Sequence, residues 1–260
     1  MADLPKTEKI EVRLEHDGQV LRIVLASPPA NILDAATMAE IVACLDHHQG
    51  QASIKALVFE GQGKHFCFGA SVEEHQKDQA PKMIAGFHGL FKKLLAFGAP
   101  TFALVRGQCL GGGMELASFC NFILAEPKAK FGQPEIQLAV FPPVAAAILP
   151  GIIGQLRADD LVLTGRSIDA QTACDWGLVH HVTEDLEAVL QEALATHFLP
   201  KSAAALRHAL RAVRRDWVEQ LGEKLDRMER AYVDDLMETE DANEGIGAFL
   251  AKRKPEWKNR

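Results

Sequence analysis

Short apolar runs alternate with helical spacings over the first two thirds of the chain. Val20 to Leu25 reads as a strand, ended by Ser27-Pro28-Pro29. Met38, Ile41, Val42 and Leu45 recur at helical spacing, predicting a helix over Thr37 to Leu45. Ile54 to Phe59 predicts a second strand, closed by Gly61-Gln62-Gly63. Ile84, Phe87, Phe91, Leu94 and Leu95 mark another helix, which Gly98-Ala99-Pro100 breaks. Thr101 to Val105 predicts a third strand, a helix begins near Gly112, and Asn121 to Ala125 predicts a further strand. Strands that alternate with helices in this way argue for an α/β core with buried strands.

The last sixty residues follow a different rule. Leu206, Leu210, Val213, Trp217, Leu221, Leu225, Met228, Tyr232 and Leu236 are spaced three or four apart, a sustained stripe on one or two long helices. Thirteen of the 28 Lys and Arg residues lie between Lys201 and Arg260, so the opposite face is charged. The chain therefore divides into a core, residues 1–200, and a C-terminal helical region, residues 201–260. The helical region packs either on another subunit or back on its own core.

Composition narrows the functional classes. The formal net charge of -7 disfavours sequence-independent nucleic-acid binding, which needs clustered cations. Five scattered cysteines with no C-x-x-C pair argue against a disulfide framework and against a zinc site. The charged stretch Met1 to Glu11 lacks the apolar segment of a secretory signal. The longest uncharged stretch, Ile136 to Leu156, contains Pro142, Pro143 and Pro150, so it predicts a buried loop and short helix rather than a membrane span. A cytoplasmic location is the expectation. His47-His48 and His180-His181 have no third ligand at a suitable spacing, so no metal is expected.

Three segments carry candidate chemistry. In Gly107-Gln108-Cys109-Leu110-Gly111-Gly112-Gly113-Met114-Glu115-Leu116 a strand runs through consecutive glycines into a helix. Glycine permits close backbone approach, and the first N–H groups of a helix have no internal partner. Such a turn suits either tight packing or an oxyanion hole. A phosphate loop is disfavoured because neither G-x-G-x-x-G nor the Walker spacing occurs. In Phe66-Cys67-Phe68-Gly69-Ala70-Ser71-Val72-Glu73-Glu74 a strand-like aromatic run ends at Gly69, and Ser71 with Glu74 has the spacing of a capping box. In Phe131-Gly132-Gln133-Pro134-Glu135-Ile136 a carboxylate precedes the uncharged stretch, which makes it a candidate for a raised pKa. Each segment taken singly also fits a purely structural role.

Together, in this order, the segments resemble the crotonase (enoyl-CoA hydratase/isomerase) family from Val20 to Lys254. Leu163-Thr164-Gly165, Trp176-Gly177-Leu178-Val179 and Glu244-Gly245-Ile246-Gly247-Ala248-Phe249 add to the likeness. The resemblance implies a β-β-α superhelix core with a helical C-terminal oligomerisation region, forming trimers or hexamers. It implies an acyl-CoA substrate, with coenzyme A part of that substrate and no separate cofactor. It places the oxyanion-hole amides at Ala70 and Gly112, the catalytic carboxylates at Glu115 and Glu135, and a coenzyme A contact at Lys252. Retention of both glutamates implies water addition, which needs one group to deprotonate water and a source of the proton that reaches carbon. Ser71 stands where the family usually has Asp, and Phe141-Pro142-Pro143 where many members have a Gly-rich stretch. With Phe68 to His75, these resemble the branch of the family that hydrates cyclic dienoyl thioesters.

Overall fold

The computed structural model describes residues 7–260. The part of the Met1 to Glu11 reading that falls on residues 1–6 lies outside this description.

Six strands form the main sheet: β1 (Ile10–Glu15), β2 (Val20–Leu25), β3 (Ala56–Gly61), β4 (Thr101–Val105), β6 (Phe122–Ala125) and β9 (His181–Val182). They lie in the order β1-β2-β3-β4-β6-β9. β1 pairs antiparallel with β2, and every later pair is parallel. Parallel neighbours need crossovers, and helices supply most of them. These include α1 (Ala35–His48), α2 (Ala80–Phe97), α3 (Gly112–Phe119) and α6 (Ala170–Asp175). A second sheet joins β5 (Gln108–Leu110), β7 (Lys130–Gly132) and β8 (Ser167–Asp169) in that order.

Period-two alternation divides the core between the two faces of the main sheet. Leu21, Ile23, Leu57, Phe59, Ala103 and Ile123 face α1, α2 and the larger apolar cluster. Val20, Ala56, Val58, Phe102, Leu104 and Leu124 face Leu186 and Leu190 of α7 (Leu186–Ala193). Arg22 is buried on β2, and its guanidinium donates to Glu15, Glu60 and Glu187. These bonds offset the cost of burying a cation.

The remaining helices are α4 (Pro143–Ile153), α5 (Gln155–Thr164), α8 (Ala203–Arg230) and α9 (Glu240–Leu250). α8 packs on α2 and α4 of its own chain. The stripe read from sequence is buried over its second half, at Leu221, Leu225 and Tyr232, whereas Val213 is 87% exposed. A single π turn, Ala231–Asp235, follows α8.

Three local expectations are corrected. Phe66 to Phe68 forms no strand, only one bridge between Cys67 and Cys109. The segment curls into the turn at Gly69 instead of pairing further. The second strand begins at Ala56 rather than Ile54, because Ile54 and Lys55 complete the preceding turn through the bonds Ile54 N–H to Gln51 and Lys55 N–H to Gln19. Pro150 does not end α4; it sits in the last turn, and the helix continues to Ile153. All five cysteines are free thiols, four of them buried. Among the described residues no helix is long and apolar enough to cross a membrane.

Candidate active site

Three turns meet beside the main sheet. β5 and β7 run parallel, with Leu110 opposite Gly132, so the ends of the two glycine-containing segments lie side by side. The Gly111 N–H donates to Gly132 at 2.9 Å, and Cys67 accepts the Leu110 N–H at 2.9 Å. These bonds bring the Gly69 turn, the start of α3 and the short 3-10 helix Pro134–Leu138 to one place.

Gly111 is the N-cap of α3, with φ +50° and ψ −128°. A Cβ there would lie 2.5 Å from Glu135 Oε1, so any side chain at this position would displace that carboxylate. A Cβ on Gly112 would lie 3.1 Å from the Ala70 nitrogen and 3.2 Å from the Phe87 ring. The Ala70 and Gly112 amides are therefore neighbours. Gly112 opens α3, so its N–H has no intrahelical acceptor, and the Ala70 N–H donates to no backbone carbonyl. Two such amides beside a helix N-terminus suit an oxygen that gains negative charge.

Glu115, on the first turn of α3, is only 2% exposed. Its Oε1 accepts the Ala145 N–H at 2.7 Å. Pro143 starts α4, so the free amides of a second helix N-terminus point at this carboxylate. Burial nevertheless pushes the Glu115 carboxyl up to about 7, against the lowering effect of the Ala145 and Val144 amides. Glu135 is half-buried. Burial first, and the charge of Glu115 second, hold its carboxyl well above the usual carboxylate range. Gln133 is fully buried, and its amide, oriented with nitrogen toward Glu135, donates to the two carboxylate oxygens at 3.2 and 3.1 Å. Two carboxyl groups that raise each other's proton affinity in this way titrate as a pair.

A cavity of about 220 Å³ opens onto both carboxylates and onto Gly69, Ala70, Gly111 and Gly112. Its other walls are mostly apolar, including Phe68, Phe87, Val140, Phe141 and Phe249. Among the described residues no group of three or more His, Cys, Asp or Glu is placed to hold a metal ion.

The structure thus brings Ala70, Gly112, Glu115 and Glu135 to one cavity. Lys252 stands apart from it: it lies just beyond the end of α9 at φ +52°, and its N–H donates to the carbonyl of Phe249, whose ring reaches the cavity wall. The capping box at Ser71 and Glu74 does not form. The helix there is a three-residue 3-10 turn, too short to use it, and Glu74 instead accepts the Ala35 N–H at the start of α1. Sequence reasoning missed the Ala145 donor and the His75 and Phe249 walls. Pro143 at a helix start was the available signal for the first. Nothing local signals the other two.

Comparison with known proteins adds the following. Residues 15–260 match the family model described as enoyl-CoA hydratase/isomerase. The chain is 45% identical over 251 residues to cyclohexa-1,5-dienecarbonyl-CoA hydratase of Thauera aromatica, covering 96% of this chain and 97% of that protein. It is 40% identical over 252 residues to a probable enoyl-CoA hydratase of Rhizobium meliloti (strain 1021), covering 95% and 97%. The crystal structure of an enoyl-CoA hydratase from Mycobacterium avium subsp. paratuberculosis K-10 superposes with a TM-score of 0.85 at 24% identity, over 98% of this chain and all of that one.

Proposed function

Because the chain belongs to the enoyl-CoA hydratase/isomerase family, we propose that it is an acyl-CoA hydratase acting on a cyclic dienoyl thioester. The substrate in this reading is cyclohexa-1,5-diene-1-carbonyl-CoA and the product 6-hydroxycyclohex-1-ene-1-carbonyl-CoA. The observation that carries it is the meeting of two carboxyl groups, both held above the usual carboxylate range, with two free amides in one apolar cavity.

The thioester oxygen sits between the Ala70 and Gly112 N–H groups, which stabilise the charge it gains as the enolate forms. Water lies between Glu115 and Glu135. One carboxylate takes a proton from it as the oxygen bonds to the carbon β to the thioester. The other carboxyl group, protonated in the resting site, gives its proton to the far end of the diene. The water O–H, the donor carboxyl O–H and, net, one C=C π bond are lost; a C–O, a C–H and a new carboxyl O–H bond form, and the pair is left with the same single proton. Burial keeps that proton available at neutral pH, which is why the raised affinity matters. In this reading Glu135 is the direct donor to carbon and Glu115 takes the proton from water.

Two observations favour a ring over a chain. A cavity of roughly 150 Å³ admits benzene, so about 220 Å³ admits a six-membered ring. Phe141 and Pro143 line the cavity beside the carboxylates, and Pro142 between them stiffens that wall, which suits a flat rigid substrate. The likeness to the Thauera protein supports the same choice. The likeness to the Rhizobium protein favours a general 2-enoyl-CoA hydratase as second reading.

The test is hydration of crotonyl-CoA and of the cyclic diene, side by side, by purified protein in oxygen-18 water. The expected result is a strong preference for the diene, with labelled oxygen in the product. Preference for crotonyl-CoA removes the ring; unlabelled product removes hydration in favour of double-bond isomerisation. The same reading includes a homotrimer or homohexamer, supported by exposed Leu156, Leu163 and Val213, and checked by light scattering. It includes a Lys252 contact to the coenzyme A phosphates, supported by the position of Lys252 next to the cavity-wall helix, and checked by KM in Lys252→Ala. It also includes a cytoplasmic location, supported by the five free thiols.

A further inference from the structure

Tyr232 is the chain's one tyrosine, and it is fully buried. It lies in the π turn that follows α8. Such turns are rare and concentrate at functional sites. Its ring packs edge-on between two side chains of the cavity wall, with centroids 6.2 Å from His75 and 5.3 Å from Phe141.

Those two neighbours belong to opposite halves of the site. His75 Nδ1 lies 2.7 Å from the carbonyl of Ser71, the residue after Ala70. A carbonyl only accepts, so Nδ1 carries the hydrogen and the ring is tied to the amide turn. Phe141 lies on the segment that joins the Glu135 turn to α4, whose Ala145 N–H donates to Glu115. Tyr232 is wedged where the oxyanion turn and the carboxylate supports come together.

Its hydroxyl has no hydrogen-bond partner. An unpaired buried hydroxyl lowers stability, and native structures keep few of them. Burial, then the charges of Glu135 and Glu115, keep the phenol un-ionised. It is a buried donor packed on His75 and Phe141, two side chains of the cavity that both carboxylates line.

We propose that Tyr232 is a positioning residue for the carboxylate pair, its hydroxyl a donor held for the state in which Glu135 carries the negative charge. The inference rests on the reading of Glu135 as a proton-exchanging group. Donation from Tyr232 lowers the proton affinity of Glu135 and steadies the carboxylate left after its proton has gone to carbon. The titratable groups facing this point are Glu115 from α3, Glu135 from the Pro134–Leu138 helix and His75 from the Glu73–His75 turn. His88 on α2 pairs with Glu229, one turn earlier on α8. Burial holds His75 and His88 below the usual histidine range, so both are neutral where the carboxyl pair titrates.

A single tyrosine makes the test specific, since growth on 3-fluorotyrosine labels Tyr232 alone. The fluorine resonance of the full-length protein is followed through the neutral pH range. The expected result is one transition, lost or displaced in Glu135→Gln and retained in His75→Gln. A resonance that does not move with pH, or a transition unchanged in Glu135→Gln, overturns the proposal. In Tyr232→Phe the proton affinity of Glu135 rises, so the alkaline limb of kcat/KM moves to higher pH, while the plateau rate falls about three- to tenfold because the proton is released to carbon less readily. KM and Tm stay unchanged, or Tm rises. A profile that superposes on the native one, or a uniform loss at all pH with a lower Tm, overturns it too. The fluorine titration needs no turnover, so it stands or falls separately from the hydration assay.

Discussion

Gly111→Ala puts the site's geometry to a direct test. The backbone at Gly111 has φ +50° and ψ −128°, a conformation that costs a residue with a side chain roughly 1–3 kcal/mol. The added Cβ would stand 2.5 Å from Glu135 Oε1, where real Cβ contacts are not found under 3.0 Å, so the carboxylate must retreat by at least 0.5 Å. Displacements approaching 1 Å in a catalytic group cost about 10²-fold in rate. The expected outcome is a folded protein with Tm lowered by several degrees and kcat lowered about 10²-fold, while KM changes little. Hydration is followed by the change in absorbance as the dienoyl thioester becomes a mono-enoyl thioester, and stability by thermal melting. Glu135→Asp withdraws the carboxylate by about 1.5 Å, which makes room for the new methyl group. In the double variant the steric part of the Tm loss is therefore recovered and the activity is not. A kcat for Gly111→Ala within twofold of the native value would refute the reasoning. So would an equal Tm loss in both backgrounds, because residues in contact must couple.

Further outcomes follow from the same geometry. Glu115→Gln and Glu135→Gln each lower kcat by about 10²-fold or more and leave the fold intact, as circular dichroism would register. Both also change the pH dependence of stability. A carboxyl whose folded pKa is raised binds its proton more tightly folded than unfolded, so its contribution is lost as pH rises from the unfolded value through the folded one. For Glu115 that window runs from 4.5 to about 7, and Glu115→Gln should gain on the order of 3 kcal/mol over the native protein across it; an unchanged difference in Tm between pH 4.5 and 8 contradicts this. Ala145→Pro removes the N–H that donates to Glu115 at 2.7 Å, in a first helical turn where proline is tolerated. It should lower kcat about tenfold or more through a lost charge-assisted bond and displace the pH profile upward. Arg22→Ala leaves Glu15, Glu60 and Glu187 facing one another and should destabilise by about 3 kcal/mol without altering KM, as chemical denaturation and steady-state kinetics would report.

Much of the architecture was legible because the core strands are buried on both faces. Thr101 to Val105 is apolar or small throughout, and its bounds in the structure match those read from the chain. The exposed edge strand β1 has no such signature, since its burial alternates irregularly and its residues are half charged. β7 and β8 are three residues each, below the length at which periodicity means anything. The site was legible wherever it depends on backbone: consecutive glycines announce amides, and Pro134 announces the turn that carries Glu135. It was not legible where it depends on distant packing. Tyr232 sits on the C-terminal apolar stripe and looks like any core residue there. Only the π turn, set by tertiary fit, gives it neighbours from two separate loops. Val213, on the same stripe, ends up in solvent for the complementary reason: the core has no element opposite it.

The C-terminal helices also set the order in which the enzyme becomes competent during synthesis. A nascent chain that has emerged as far as Phe198 already carries both carboxylates, both amide turns and the sheets that align them. It lacks the part of the chain that supplies Tyr232 and Phe249. Docking of α8 and α9 adds Phe249 to the cavity wall and packs Tyr232 against Phe141. Vectorial folding from the N-terminus therefore assembles the catalytic parts first and closes them in last.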